Sequence, residues 1–136
     1  GGTTITASFL SGTIANMSYD GTDFWFTHGG AALGSNNLIR ATLSGTALTS
    51  QNTVVCGAVT TAFNDSFCVN ATHFAGSSAF GSSTMSLFTK TGTLLRADAY
   101  PFGSGSGISM GNSSGNLMIG IYHGGAASAS FLSVPI

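Results

Sequence analysis

Polar and apolar residues alternate along most of the chain in short runs, which glycine, asparagine and aspartate separate. Within these runs β-branched and aromatic residues recur at every second position, the pattern of strands with one buried face. We therefore predict strands at residues 13–19, 24–27, 38–43, 54–63, 67–71, 86–89 and 117–122.

Composition removes the helical alternative and also argues against disorder. The 136 residues include no glutamate, one lysine and two arginines, so the usual material of exposed helix faces is missing. Ten phenylalanines, three tyrosines and a tryptophan are too many aromatic residues for a disordered chain. The sequence predicts a single all-β domain with glycine-rich turns.

Three segments of the chain align with one another. Residues 20–28 (DGTDFWFTH), 65–73 (DSFCVNATH) and 115–123 (GNLMIGIYH) each end in one of the three histidines. A second match, between LSGTAL and KTGTLL, places a tight turn later in the unit. We predict three four-stranded antiparallel repeats at about residues 11–53, 54–100 and 101–136, with residues 3–10 as the last strand of the third repeat.

Residues 18–26 (SYDGTDFWF), followed by NLIR and LSGT, resemble the blades of β-propellers of the YVTN/NHL-like superfamily. The resemblance implies propeller-blade-like repeats with an aromatic second strand and a Gly-Thr turn between the third and fourth strands. Propellers typically have four to eight blades, so three units would close a ring only as a homo-oligomer. A pseudo-threefold β-trefoil is the alternative, although the Gln-x-Trp signature of trefoil lectins is absent.

The repeated histidines raise the question of a metal site. Three imidazoles would suit zinc, but no carboxylate accompanies the histidine in all three copies to orient it. We therefore interpret His28, His73 and His123 as strand-end residues repeated by duplication, and we predict neither a metal nor another cofactor.

A glycan-binding site is the best local hypothesis for ligand recognition. Sugars bind to aromatic faces flanked by planar polar side chains, and such residues gather in the first repeat. The predicted ligand-binding residues are Tyr19, Asp20, Asp23, Trp25, His28, Asn36 and Asn37.

The charged residues limit the functions that the chain can perform. Its net charge of −1 and three scattered basic residues exclude a phosphate-binding surface for nucleic acid. Asp20 and Asp23 flank one tight turn, whereas hydrolysis by paired carboxylates needs two acids across a substrate. We expect no enzymatic activity, and a hydrolase is the least favoured of three alternatives.

The leading expectation is a non-enzymatic binding module at an extracellular or virion surface. It would recognise a glycan or a cell-surface receptor as an adhesin or lectin does, without inserting into a membrane. The competing hypothesis is a structural decoration or fibre subunit that self-assembles through weakly charged faces, and in either case we expect a homo-oligomer.

Overall fold

The part of the chain that the structure describes folds into three antiparallel sheets that follow one another in sequence. The computed structural model describes residues 2–7, 13–29, 37–56, 66–77, 84–99, 107–123, 128–134 and 136, and within these ranges it contains strands and turns but no helix. The strands are β1 (Thr13–Tyr19), β2 (Phe24–Gly29), β3 (Asn37–Ser44), β4 (Ala47–Val55), β5 (Ser66–Val69), β6 (His73–Ser77), β7 (Thr84–Thr89), β8 (Leu94–Ala99), β9 (Gly107–Ser113), β10 (Asn116–His123) and β11 (Ser128–Ser133). The predicted all-β fold class is confirmed.

Each sheet is a meander in which neighbours in sequence are neighbours in space. Sheet one has the order β1-β2-β3-β4, sheet two β5-β6-β7-β8, and sheet three β9-β10-β11. The part of the chain that the structure describes therefore holds two four-stranded sheets and one three-stranded sheet, where we predicted three four-stranded repeats. Of the segment predicted to complete the third repeat, Thr6 instead forms a parallel bridge with Ala47 in β4, and residues 8–10 lie outside the described ranges.

Sheet two lies between the other two sheets and is buried on both faces. Its first strand, β5, contacts the first strands of both neighbours, β1 and β9. On one face Phe67, Val69 and Phe74 pack in a core cluster with Trp25 and Leu38 of sheet one. Burial on both faces explains why β5 is apolar at successive positions instead of alternating.

The opposite face of sheet two packs against sheet three. Cys68 and Ala75, whose side chains alternate with those of the first cluster, join Leu117, Ile119 and Val134 in a second cluster. The three sheets thus form a stack in which each interface is an apolar core.

The predicted position of the histidine in the second repeat is wrong. His73 begins β6, whereas His28 and His123 lie near the ends of β2 and β10. The sequence alignment pairs Asp20 with Asp65, which lies outside the described ranges. The turn joining its first two strands begins at Asn70, which accepts hydrogen bonds from the backbone N–H groups of Thr72 and His73.

The two cysteines are free thiols in separate places. Cys56 belongs to the core cluster between sheets one and two, and Cys68 to the cluster between sheets two and three. Two cysteines could form one disulfide or remain two buried thiols, and the structure contains two buried thiols. Burial raises the pKa of each thiol to about 12.

We predict that neither thiol reacts with a disulfide reagent while the protein is folded. At pH 8 a thiol with a pKa of about 12 is ionised in only about one molecule in 10⁴, and only the thiolate attacks. Titration with Ellman's reagent should detect no thiol in native protein and two in denaturant. Rapid release of colour from the native protein would contradict this expectation.

Within the described ranges, the structure has no helix of the length and apolarity that crossing a membrane requires.

Candidate functional site

A cleft of about 470 Å³ opens where turns of sheet one and sheet two meet. The β1–β2 turn contributes Asp20, Thr22 and Asp23, and the β7–β8 turn contributes Lys90 and Thr91. The remaining lining residues are Trp25, Arg40, Val54 and Ala71. Four of the seven charged residues of the chain therefore face this one cleft.

Asp20 shapes the turn between β1 and β2. Its Oδ1 accepts hydrogen bonds of 2.8 Å from the backbone N–H groups of Thr22 and Asp23. This is an Asx turn, the local structure for which aspartate and asparagine are favoured. The chain can then reverse at Gly21, whose φ of 102° suits glycine.

The second carboxylate oxygen of Asp20 joins the two sheets. Oδ2 accepts a 2.7 Å hydrogen bond from the indole N–H of Trp25 and also binds the ammonium group of Lys90 from sheet two. The Lys90 Nζ lies 4.3 Å from the centroid of the Trp25 ring, within the range of a cation–π interaction. The backbone N–H of Lys90 donates to the Thr72 carbonyl, which holds the lysine at this position.

These contacts change the pKa values of both partners. Burial by itself would raise the pKa of Asp20, but hydrogen bonds from Asp23, Lys90, Trp25 and Thr22 outweigh it and lower the pKa to about 2. Burial lowers the pKa of Lys90, and the neighbouring Asp20 opposes that shift. Asp20 is consequently an anion at any pH near neutrality.

Asp23 forms the second charge pair of the cleft. Its Oδ2 accepts a 2.7 Å hydrogen bond from Nε of Arg40, and its Oδ1 accepts a 2.6 Å hydrogen bond from the Thr42 hydroxyl. Asp23 is almost fully buried, whereas 42% of the Arg40 side chain is exposed. The guanidinium group is therefore the part of this pair that solvent or a ligand can reach.

The ring of Trp25 is buried at the base of the cleft, and its face is not open to a ligand. Only 4% of the residue is exposed, and its ring packs edge-on against Phe74 at a centroid distance of 4.7 Å. Lys90 lies over the ring on the cleft side. A sugar ring could not stack on Trp25 unless Lys90 moved away.

The structure separates the predicted site residues into two groups. Asp20, Asp23 and Trp25 line the cleft, and Tyr19 lies beside them in sequence but packs on Phe24 on the opposite face of sheet one. His28 lies near the far end of β2, and Asn37, which is exposed, begins β3 at that same end. Asn36 lies outside the described ranges.

Sequence reasoning missed the two cations and the turn of sheet two. Arg40 and Lys90 are two of only three basic residues in the chain, and buried carboxylates normally have charged or hydrogen-bonding partners. That scarcity was a usable signal for pairing them with Asp20 and Asp23. The contribution of Ala71 and Thr91 depends on how sheet two packs on sheet one, which no local pattern reveals.

Among the residues that the structure describes, no group of three or more histidine, cysteine or acidic side chains is arranged to hold a metal ion. The interpretation of the histidines as residues at the end of a strand agrees with the places of His28 and His123 but not with that of His73, which begins β6.

No protein-family model matches the sequence, and no curated protein matches it either.

Proposed function

We propose that the chain is a non-enzymatic recognition module that binds a neutral glycan in the cleft between sheets one and two. The observation that carries the proposal is the internal pairing of charges there: Asp20 with Lys90, and Asp23 with Arg40. A cleft whose charges neutralise one another offers many hydrogen-bonding groups without a net field, which suits a neutral polar ligand.

The exposed groups around the cleft have the chemistry of sugar recognition. Arg40 presents a partly exposed guanidinium fork, and Thr22 and Thr91 are exposed hydroxyl-bearing residues at the rim. Donors held in place by buried carboxylates lose little conformational entropy when they bind a ligand. The ligand would contact these polar groups, with Trp25 as their support.

The lowered pKa of Asp20 favours binding over hydrolysis. A glycosidase needs one carboxylic acid whose pKa is raised, so that it can protonate the leaving group. Asp20 is shifted in the opposite direction, to about 2. We accordingly propose that the cleft holds its ligand without cleaving it.

We further propose that the sheets are propeller-blade-like units of a protein at an extracellular or virion surface. The meander order of the sheets and the adjacency of β1, β5 and β9 support the blade-like interpretation. Only 5% of the residues are charged, so recognition would depend little on salt, as suits an extracellular setting.

A glycan array tests the proposed function, and Ala71→Tyr is the matched variant. Ala71 is exposed at the cleft and belongs to neither charge pair, so tyrosine fills the space without disturbing them. We expect the wild-type protein to bind a set of neutral glycans and the variant to bind them with an affinity at least about tenfold lower.

Ala97→Tyr is the control, since Ala97 is exposed on β8 and does not line the cleft. It should bind as the wild type does. Absence of binding across neutral glycans, or equal binding by both variants, would contradict the proposal.

A structural subunit is the second candidate, because large apolar side chains are exposed on sheet one. Met17 is 60% exposed and Val55 66%. Defined oligomers without glycan binding would favour this candidate.

A further inference from the structure

The carboxylate of Asp20 has no accepting capacity left for a ligand in the cleft. Its Oδ1 accepts hydrogen bonds from the backbone N–H groups of Thr22 and Asp23. Its Oδ2 accepts from the indole of Trp25 and from the ammonium group of Lys90. A carboxylate offers about four lone-pair sites, so these four donors saturate it.

The carboxylate of Asp23 is equally closed to a ligand. Its Oδ1 accepts from the hydroxyl of Thr42, and its Oδ2 accepts from Nε of Arg40 and also contacts Nη2 of the same guanidinium group. Only 4% of the Asp23 side chain is exposed. Neither acid of the cleft is therefore available to accept a hydrogen bond from a ligand.

The two cations, by contrast, keep donors that no residue in the described part of the chain uses. Arg40 contacts Asp23 through Nε and Nη2, so the N–H groups of Nη1 remain for a ligand. Lys90 has three N–H groups, one of which is directed at Asp20, and 21% of its side chain is exposed. Guanidinium and ammonium groups cannot accept. The charged side chains of the cleft thus offer a ligand donors and no acceptors.

These donors from two different sheets are grouped around one aromatic ring. Nζ of Lys90 lies 4.3 Å from the centroid of the Trp25 ring, and the central guanidinium carbon of Arg40 lies 6.0 Å from it. The buried carboxylates hold both cations in place, so the donors are positioned before a ligand arrives.

Apolar side chains line the cleft beside the donors. Val54 and Ala71 are its two aliphatic lining residues. The Val54 side chain lies 3.1 Å from the position of a Cβ added to Gly92, two residues after Lys90. The backbone N–H of Lys90 donates to the carbonyl of Thr72, the residue that follows Ala71. The turn that presents Lys90 consequently has an aliphatic neighbour in each sheet.

We propose that the cleft selects an uncharged carbonyl group with an adjacent methyl group, as in the acetamido group of N-acetylated sugars. The carbonyl oxygen accepts from Arg40 and Lys90 and brings no proton to meet their donors. In a trans amide the N–H points away from the carbonyl, and the methyl group contacts Val54 and Ala71. This inference rests on the proposed glycan binding and adds the chemical class of the glycan.

Other sugar substituents suit the cleft less well. A hydroxyl group accepts, but it also brings a proton for which neither carboxylate is open. An ammonium group brings further donors and a positive charge towards Arg40 and Lys90. A carboxylate accepts, but the charges of the cleft cancel one another, so no net field offsets the cost of removing the anion from water.

Glycans that differ only in the substituent at carbon 2 of the sugar test the proposal on the wild-type chain. Oligomers of N-acetylglucosamine and of N-acetylgalactosamine are compared with counterparts that carry a hydroxyl group or an amine there. Titration calorimetry at about pH 6 keeps the amine protonated. We expect the acetamido member of each set to bind at least about tenfold more tightly than the hydroxyl member, and the amine to bind most weakly.

The outcomes distinguish this inference from the proposed function on which it rests. Equal binding of the acetamido and hydroxyl members would overturn the inference and leave glycan binding standing. Tighter binding of the amine, or of glycans that carry a carboxylate, would overturn it as well. If no member of any set binds, both proposals fail.

Arg40→Lys examines the part of the guanidinium donors in this selection. Lysine keeps a positive charge opposite Asp23 but removes the Nη groups, so the preference for acetamido over hydroxyl should fall at least about threefold. Arg96→Lys is the matched control, because Arg96 is the other arginine of the chain and does not line the cleft. It should keep the full preference. An unchanged preference in Arg40→Lys would contradict the proposal, and the wild-type comparison decides it even if this variant does not fold.

Discussion

Replacing Gly92 with alanine should destabilise the protein more than the same replacement at Gly21, Gly45 or Gly115, the other described glycines with a positive φ. Gly92 lies in the β7–β8 turn of sheet two with a φ of 89°, and a Cβ there would stand 2.3 Å from the backbone oxygen of Val55 and 3.1 Å from the side chain of Val54. A backbone oxygen can give way only if β4 moves. We expect a loss of about 3 to 4 kcal/mol in the free energy of unfolding, from conformational strain and overpacking together.

Gly45→Ala is the matched control because Gly45 occupies the same turn of sheet one. Its φ is also positive, at 61°, but a Cβ there would meet no atom within 4 Å. This variant should lose only about 1 kcal/mol in the free energy of unfolding, which is the cost of a residue other than glycine at a positive φ. Urea unfolding followed by the fluorescence of Trp25, the only tryptophan, measures both losses. Equal losses would show that the contact between the turn of sheet two and β4 carries no energy.

The comparison of these glycines illustrates what the sequence reveals and what it conceals. The match between LSGTAL and KTGTLL predicts both turns correctly, since turn chemistry is local. It does not distinguish a turn that projects into solvent from one that presses on a neighbouring sheet. That difference depends on packing between residues more than thirty positions apart.

The second repeat shows another limit of prediction from the sequence. Alternation and turn residues predicted an all-β chain, the first three strands of sheet one and the turn at Asp20, all of which the structure contains. The strand predicted at 54–63 overlaps the end of β4 (Ala47–Val55), and residues 57–63 lie outside the described ranges. The alignment failed at His73 because it matched an aspartate to an aspartate. The turn uses Asn70 in the role of Asp20, and the two residues serve an Asx turn equally well.

The candidate site was only partly predictable for the same reason. Asp20, Asp23 and Trp25 lie within six residues of one another, so sequence proximity placed them together. Lys90 comes from another sheet and follows Asp20 by seventy positions. His28 and Asn37 were grouped with the site because they are near in sequence, but a strand carries them to its far end.

Asp20→Asn and Asn70→Asp should each destabilise the folded protein. Each side chain uses its Oδ1 atom for the Asx turn, but the second atom meets opposite partners: Asp20 Oδ2 accepts from Trp25 and Lys90, whereas Asn70 Nδ2 donates to the Gly115 carbonyl. In Asp20→Asn an amide N–H₂ would face two donors, and in Asn70→Asp a carboxylate would face a carbonyl oxygen. We expect each exchange to cost about 2 to 3 kcal/mol in the free energy of unfolding.

Asp20→Ala should lower the free energy of unfolding more than Asp20→Asn does. It removes the turn hydrogen bonds as well as the partner of Lys90, and it leaves a largely buried ammonium group uncompensated. Loss of one partner of a buried ion pair typically costs about 3 to 5 kcal/mol. Chemical denaturation should therefore rank the wild type above Asp20→Asn, and Asp20→Ala as the least stable. If Asp20→Asn were as stable as the wild type, the link to Lys90 would have no energetic role.

The pH dependence of stability isolates the charge of Asp20 from its shape. The pKa of this group is lowered from 3.8 to about 2 on folding, so the folded state favours the anion. The stabilisation is complete above the unfolded pKa and disappears as the pH falls through the folded one. A shift of this size corresponds to roughly 2 kcal/mol, because one pKa unit is about 1.36 kcal/mol and the Asp20 side chain is only 8% exposed.

Unfolding free energies of the wild type and Asp20→Asn should therefore converge between about pH 4 and pH 2 and stay parallel above pH 4. The asparagine variant has no proton to gain, so its own decline in acid comes from other groups. A difference that remained constant down to pH 2 would mean that the hydrogen bonds to Asp20 act through geometry alone. Convergence would instead show that the carboxylate charge of Asp20, through its contacts with Lys90 and Trp25, stabilises the folded state.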